Sequence, residues 1–483
     1  MRAKSINNIL KILFPLFVTI FSYVEEGSIY IPMVSNFTLQ HKKLNNKNYY
    51  TIPLRIGTPS EEYNVQVDTS TSTTWVPSSK CVNCDSSHRF YIEEDSKTSS
   101  PTNSLIKLED EDGNVEGYEI SDNIKLGQYK LKQFGFVQVT KVADDFKDHY
   151  GGKLGLGYKS HIDNDDFNFL EKLQKSNLIT KKIFSINAIN DKRGMLLIGD
   201  LPGKQYNTFC NVTNEIEDVD DMYKESWICH LTHVGVFDTN KGIFNKLKYY
   251  DELTSNNLVN FDSAYDFIAV PIAEKDKIEK LLEKANLECT TSKKNENEET
   301  ENESLRNRIR EEEITISCKT NSDELSEKNL ALSFVLQGYV YSIPLDLLFV
   351  KGQNDGEMEM LIKYIDDDEA IWTFGYPFMN QFLMVFNMEE NHVGIKKLRK
   401  TALPIINVYK DWIKWNVKHD YSFSVFQIIG IIILILVVLA ILFLIYRAIR
   451  KKFANSNSGV FVPENNANNN NINNNNNNND IVY

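Results

Sequence analysis

Positive charge is what this 483-residue chain has least to spare: 53 Lys and Arg face 66 Asp and Glu, a formal net charge of −13 at pH 7. Phosphate binding needs a concentrated basic surface and none is visible, so nucleic acid is excluded as a partner. The chain also lacks the Gly-x-Ser-x-Gly elbow that would support a Ser-His-Asp hydrolase. Metal ligation is poorly provided for. His230 and His233 lie three apart in a stretch that reads as a strand, where such positions face opposite sides. Cys81-x-x-Cys84 has a redox or zinc site as its rival reading. Zinc needs further ligands, however, and the nearby His88 stands alone in a loop-like stretch. No metal and no cofactor are expected. Proline (12) and glycine (22) are sparse, and with 42% hydrophobic and 25% charged residues the composition is that of a globular protein.

The length allows two sizeable cores, since single cores stop growing at about 250–300 residues. The six cysteines fall in three local neighbourhoods, Cys81 with Cys84, Cys210 with Cys229 and Cys289 with Cys318. Many other connectivities are open, so local pairing is a preference; an even count suits an oxidising compartment. Residues 1–24 read as a signal peptide, with Arg2 and Lys4 ahead of an apolar run, although a poorly marked cleavage site leaves retention as an anchor open. Residues 425–446 carry no charge and suffice for a transmembrane helix. Arg447, Arg450, Lys451 and Lys452 follow at once and place that end in the cytosol. The topology is single-pass type I, in the secretory pathway or at the cell surface, with a monomeric ectodomain. Glycosylation candidates are Asn36, Asn211 and Asn302.

Between these ends, residues 25–47 form a short polar lead-in or prosegment, 48–190 a first lobe, 191–398 a second lobe and 399–424 a juxtamembrane linker. Both lobes read as rich in strands, with short helical patterns at Phe169 to Leu178 and Ile272 to Ala285. A charged insertion at 292–313 holds almost nothing apolar and reads as disordered; residues 447–483 form an Asn-rich cytosolic tail. An internal repeat is the informative feature. A strand leads into Asp68 and another into Asp262; a hydroxyl residue follows each, and Val-Pro sits eight and nine positions on. Downstream lie Lys153-Leu154-Gly155 and Thr373-Phe374-Gly375, at nearly equal spacing once the insertion is set aside.

At this point residues 48–398 resemble the pepsin-like aspartic proteases. The resemblance is carried by Gly57-Thr58-Pro59, Asp68-Thr69, Trp75-Val76-Pro77-Ser78, Gly152-Lys153-Leu154-Gly155-Leu156-Gly157, Leu197-Ile198-Gly199 and Val393-Gly394. It implies an all-β, bilobal fold with a few short helices and a cleft for a peptide or protein substrate. It also implies a catalytic pair, Asp68 and Asp262, supported by the loop hydroxyls of Thr69, Thr71 and Ser263. Two carboxylates at one site share a proton, so one serves as base toward a water while the other donates to the peptide carbonyl.

Several site positions depart from the family's pattern. Ser70 and Ala264 replace glycines, and their Cβ atoms are expected to crowd the loops and tilt the carboxylates. Thr71 is expected to bond its aspartate, whereas Tyr265 stands where a small hydroxyl belongs and Tyr376 where the second lobe normally has Asp. The flap tyrosine falls near Asp110, in an acidic turn, with Tyr118 displaced from that place. Two readings follow: an atypical aspartic endopeptidase, or a pseudoprotease that binds peptides or a protein partner in the same cleft.

Overall fold

The computed structural model describes residues 28–407, outside 36–49, 109–112, 144–145, 147–150, 159–165, 191–192, 200–205, 214–222, 224, 250–256, 294–312, 353, 355, 367–369 and 399–402. Residues 1–24, Asn36, Asp110, Asn302, most of the charged insertion, 425–446 and the tail therefore lie outside the described residues. Among the described residues no helix is long and apolar enough to cross a membrane.

Among the described residues, twenty-five strands dominate. The first part of the chain supplies β1 (Ser28–Ser35), β2 (Tyr50–Ile56), β3 (Glu61–Asp68), β4 (Trp75–Val82), β5 (Ser100–Leu108), β6 (Val115–Leu126), β7 (Tyr129–Val142), β8 (Lys153–Gly155) and β9 (Ile183–Asn190). Then come β10 (Arg193–Gly199), β11 (Thr208–Asn211), β12 (Ile228–Asp238), β13 (Ile243–Tyr249), β14 (Leu258–Phe261), β15 (Ile268–Pro271), β16 (Cys289–Lys293) and β17 (Glu313–Lys319). The last are β18 (Leu330–Leu336), β19 (Tyr339–Pro344), β20 (Phe349–Lys351), β21 (Glu357–Ile365), β22 (Trp372–Phe374), β23 (Phe382–Asn387), β24 (His392–Lys397) and β25 (Ile406–Asn407).

These strands form two sheets. One has 13 strands, in the order β11-β24-β23-β9-β10-β1-β2-β3-β8-β4-β7-β6-β5, and β2 also pairs with β6. That extra pairing closes β2, β3, β8, β4, β7 and β6 into a ring, which removes exposed strand edges. The other sheet has 12 strands, with β14, β22, β15 and β21 near its middle. The sequence dictates the pattern locally. In β2 the buried residues Tyr50, Ile52, Leu54 and Ile56 alternate with more exposed ones, the period of a strand with one face in the core. Toward its end β3 is buried on both faces, from Val65 to Asp68, and so reads there without alternation.

The duplicated frame is repeated in strand pairing. β3 runs parallel to β8, β8 antiparallel to β4, and β4 parallel to β7. Correspondingly, β14 runs parallel to β22, β22 antiparallel to β15, and β15 parallel to β21. Asp68 is level with Gly155, and Phe261 with Phe374, which puts Gly375 one step on beside Asp262.

Two features differ from the sequence reading. The stretch expected to be a lead-in contains β1, whose residues Ser28 to Val34 pair with β10 and whose end pairs with β2. Its inward residues Ile29, Ile31 and Met33 are almost fully buried, so hydrophobic alternation within a short segment outweighs the polar surroundings. A boundary at 190/191 also divides the chain more cleanly than the sheets do, because β10, β11, β23 and β24 hydrogen-bond into the first sheet. The helices fall where the periodicity predicts them, at Phe169–Lys175, capped by Asn168, and at Lys275–Ala285, which buries Ile278, Leu281 and Leu282. Disulfides join Cys81 to Cys84, Cys210 to Cys229 and Cys289 to Cys318, the three local pairs. The last closes the hairpin β16–β17 at the base of the charged insertion.

Candidate active site

The two aspartates are delivered by the equivalent strands just described, Asp68 as the last residue of β3 and Asp262 directly after β14. Both are shut away from solvent, at 0% and 2% exposure. Glycine is required behind each. A Cβ on Gly155 would lie 2.4 Å from the Ser72 backbone, and one on Gly375 would lie 2.4 Å from the carbonyl oxygens of Tyr265 and Phe267. Only a residue without a side chain lets the loop after each aspartate pack so closely.

The loops grip one another through their hydroxyls. Thr69 Oγ1 donates to the Phe261 carbonyl (2.7 Å) and accepts from Ser263 N–H (3.0 Å), while Ser263 Oγ donates back to the Val67 carbonyl (2.7 Å). Each bond crosses more than 190 positions of sequence and ties the strand end carrying one aspartate to the loop of the other.

The carboxylates are held in parallel ways. Ser70 N–H donates to Asp68 Oδ1 and Ala264 N–H to Asp262 Oδ1, both at 2.8 Å. Neither Ser70 nor Ala264 is among the positive-φ residues, so these positions do not need glycine's conformational freedom. Ser70 adds a contact of its own: its Oγ donates to Asp68 Oδ1 at 2.6 Å.

Thr71 differs from expectation. Its hydroxyl donates to Glu225 Oε2 (3.2 Å), and the same oxygen accepts from Ser72 N–H (2.6 Å) and Ser72 Oγ (2.8 Å). The hydroxyl that reaches Asp68 belongs to Ser70, one residue earlier. Tyr265 turns into an apolar cluster with Phe267, Ala269, Ile365 and Ala370, its ring 5.0 Å from that of Phe267, and so leaves the space expected of it. Tyr376 is buried beside Tyr50, with ring centroids 6.0 Å apart. Asp110 lies outside the described residues, between β5 and β6, and Tyr118 stands on β6 with 39% of its surface exposed. Asn211 is exposed at the end of β11.

Two contributors went unnoticed in the sequence. Glu225, just ahead of β12, anchors the loop of the first aspartate as described. Lys153, the first residue of β8, is fully buried, and its ammonium donates to Asp68 Oδ2 at 2.9 Å. The signal was available: a lysine opens a buried strand at the place where the repeat has Thr373. Burial, and then the charge of Asp68, raise the pKa of Asp262 from 3.8 to about 7, against opposing pulls from Ala264 N–H, Lys153 and Ser70. Asp262 therefore holds its proton to higher pH than an ordinary carboxyl does. No cluster of three potential metal ligands occurs among the described residues.

Residues 49–398 match the family described as eukaryotic aspartyl protease. Among similar proteins are a renin of Echis ocellatus, 23% identical over 391 residues (77% of this chain, 85% of that protein), and pregnancy-associated glycoprotein 1 of Sus scrofa, 24% identical over 361 residues (72% and 80%). Procardosin-A of Cynara cardunculus is 29% identical over a shorter 154 residues, 30% of each chain. A match over most of the chain, centred on two aspartates in duplicated strand frames with interlocked loops, shows that this protein belongs to the pepsin-like eukaryotic aspartyl protease family.

Proposed function

We propose that the protein is an aspartic endopeptidase of the secretory pathway, anchored by residues 425–446, that hydrolyses peptide bonds with a water held between Asp68 and Asp262. The observation that carries this reading is the pairing of two buried carboxyls, Asp262 with its pKa raised by burial and by the charge of Asp68, on loops locked together by Thr69 and Ser263. Asp68 takes a proton from the water as its oxygen attacks the peptide carbonyl carbon. Asp262 donates its own proton to the carbonyl oxygen, giving a neutral tetrahedral diol. Asp68 then gives its newly gained proton to the nitrogen while Asp262 takes one back from a diol hydroxyl, and the C–N bond breaks to leave an acid and an amine. Burial strengthens each of these charge interactions, because little water competes with them. The family suggests a peptide or protein substrate in the cleft between the lobes, served by a monomeric ectodomain. Three disulfides support a lumenal or extracellular setting for that domain. The uncharged run 425–446 and the basic residues after it support the anchor and its orientation.

The test is cleavage of a peptide library by the full-length chain from acid to neutral pH. The better inactive control is Asp262→Asn, because removing Asp68 would strand the Lys153 ammonium in the interior. Cleavage by the wild type and none by the control is the expected result. Peptide binding without cleavage at any pH would sink the endopeptidase reading and leave a pseudoprotease.

A further inference from the structure

The geometry points to Lys153 as a positioning residue of the acid–base pair: held on Asp68 Oδ2, its ammonium assigns the pair's single proton to Asp262. This deepens the endopeptidase reading and rests on it for its catalytic meaning, but not for its test.

The argument is one of donors and acceptors. An ammonium has three hydrogens and no lone pair, so an oxygen facing it must accept. Lys153 Nζ is 2.9 Å from Asp68 Oδ2, and both side chains are fully buried. The other oxygen, Oδ1, already accepts from Ser70 N–H and Ser70 Oγ. A carboxylate offers about four acceptor directions, and three are taken by donors. A proton placed on Asp68 would be confined to the fourth direction, on the oxygen that already faces the positive ammonium. Asp262 Oδ1 accepts from Ala264 N–H, and its second oxygen is the one to which we assign the proton. Roles that two symmetric loops would leave interchangeable are thereby fixed, Asp68 as base and Asp262 as acid.

Position explains why one lysine has this effect. Lys153 opens β8 beside Gln66 of β3 and opposite Trp75 of β4, so its backbone is clamped on both sides. The chain enters the strand through Gly152, at φ +122°, where a Cβ would lie 2.3 Å from the Trp75 carbonyl. The ammonium is thus delivered by the sheet itself. Other titratable groups among the described residues of the surrounding elements are Glu225 ahead of β12, engaged by Thr71 and Ser72, Asp266 on the loop after Asp262, and the phenols of Tyr265 and Tyr376. Among the described residues, the charges that act on Asp262 are those of Asp68, which holds its proton on, and Lys153, which loosens it.

A charge in that place leaves a mark that a merely structural lysine would not. Removing it should move the titration of the pair to higher pH, by at least about one unit for an opposite charge this close. The full-length wild type is compared with Lys153→Met and with Lys153→Gln, the second keeping a donor to Asp68 so that folding does not hinge on an unsatisfied carboxylate. Unfolding temperature is recorded from pH 3 to 9, and peptide cleavage over the same range. In both variants the pH interval over which stability declines, and any cleavage profile, should be displaced upward by about one unit or more. Stability lowered equally at every pH, or a profile left in place, would overturn the role of Lys153. Absence of cleavage in the wild type would instead count against the endopeptidase reading, since the stability arm needs no substrate.

Discussion

Ser70 occupies a position where the family carries glycine, and its hydroxyl lies 2.6 Å from Asp68 Oδ1. A hydrogen bond to a charged partner contributes about 1.5–3 kcal/mol, so Ser70→Gly should destabilise the protein by roughly that amount, measured by urea unfolding, although it restores the common residue. Thr69→Val removes a donor to Phe261 and an acceptor from Ser263 while keeping the shape. A loss of about 1–3 kcal/mol is expected, with a fall in cleavage at unchanged substrate affinity. At this scale the sequence was legible wherever a motif recurs: Asp68, Asp262, Thr69 and Ser263 all stand in matched frames. It was not legible where a contact depends on rotamer and approach. Thr71 and Ser70 both offer a hydroxyl near Asp68, and only the folded loop decides that Ser70 reaches it while Thr71 turns to Glu225. Lys153 was in plain view within Gly152 to Gly157, but a motif read for its glycines hides the charge between them.

Among elements, the two parallel strand pairs make a matched experiment. Gly155→Ala and Gly375→Ala each push a methyl group to 2.4 Å from backbone atoms, which cannot withdraw as a side-chain end would. Each should cost at least about 1–3 kcal/mol, the usual penalty for overpacking, and unfolding curves should show the two penalties to be similar. The hairpin β16–β17 suggests the opposite kind of change. Lys293 and Ile314 are still in register, and Cys289 is bonded to Cys318 at the other end. Replacing residues 294–312 by an Asn-Gly turn should raise stability by up to about 2 kcal/mol, since each halving of the closed loop is worth about 0.6 kcal/mol. Thermal unfolding of the shortened protein checks this. Period-2 patterning made most of these strands readable, as in β2. A strand such as β8, three residues long and buried throughout, offers no period to read and is defined by its partners.

Near neutrality the whole molecule should respond to pH through its two raised buried carboxyls, Asp262 and Glu359, of which Asp262 belongs to the site. Its folded pKa, about 7, lies above its ordinary 3.8, so the folded state binds the extra proton between these values. The associated stability is complete below about pH 4 and is lost as pH rises through about 7. The carboxyls of Glu94, Asp238, Asp276 and Glu324 are shifted down, Glu94 and Glu324 mainly by hydrogen bonds from Lys80 and Lys328. Their contributions are lost instead as pH falls, and are small because these groups are largely exposed. Glu359, raised by burial to about 7, acts in the same direction as Asp262. His233, lowered by burial to about 4, contributes stability that is lost as pH falls from about 6.5. A decline as pH rises through about 7 is therefore expected, and calorimetry across pH 4–8 would register it.

The strand β1 has a temporal consequence. It is made before any of its partners, yet Ile31 lies opposite Leu196, a residue synthesised long afterwards. Until then, its buried face of Ile29, Ile31 and Met33 has only β2 to meet, and only at one end. Pairings this distant in sequence form late and slowly. The nascent chain must therefore carry an unsheltered strand while the rest of the first lobe is being made. That interval is where help from chaperones should matter most, and where the molecule is most open to pairing with the wrong partner.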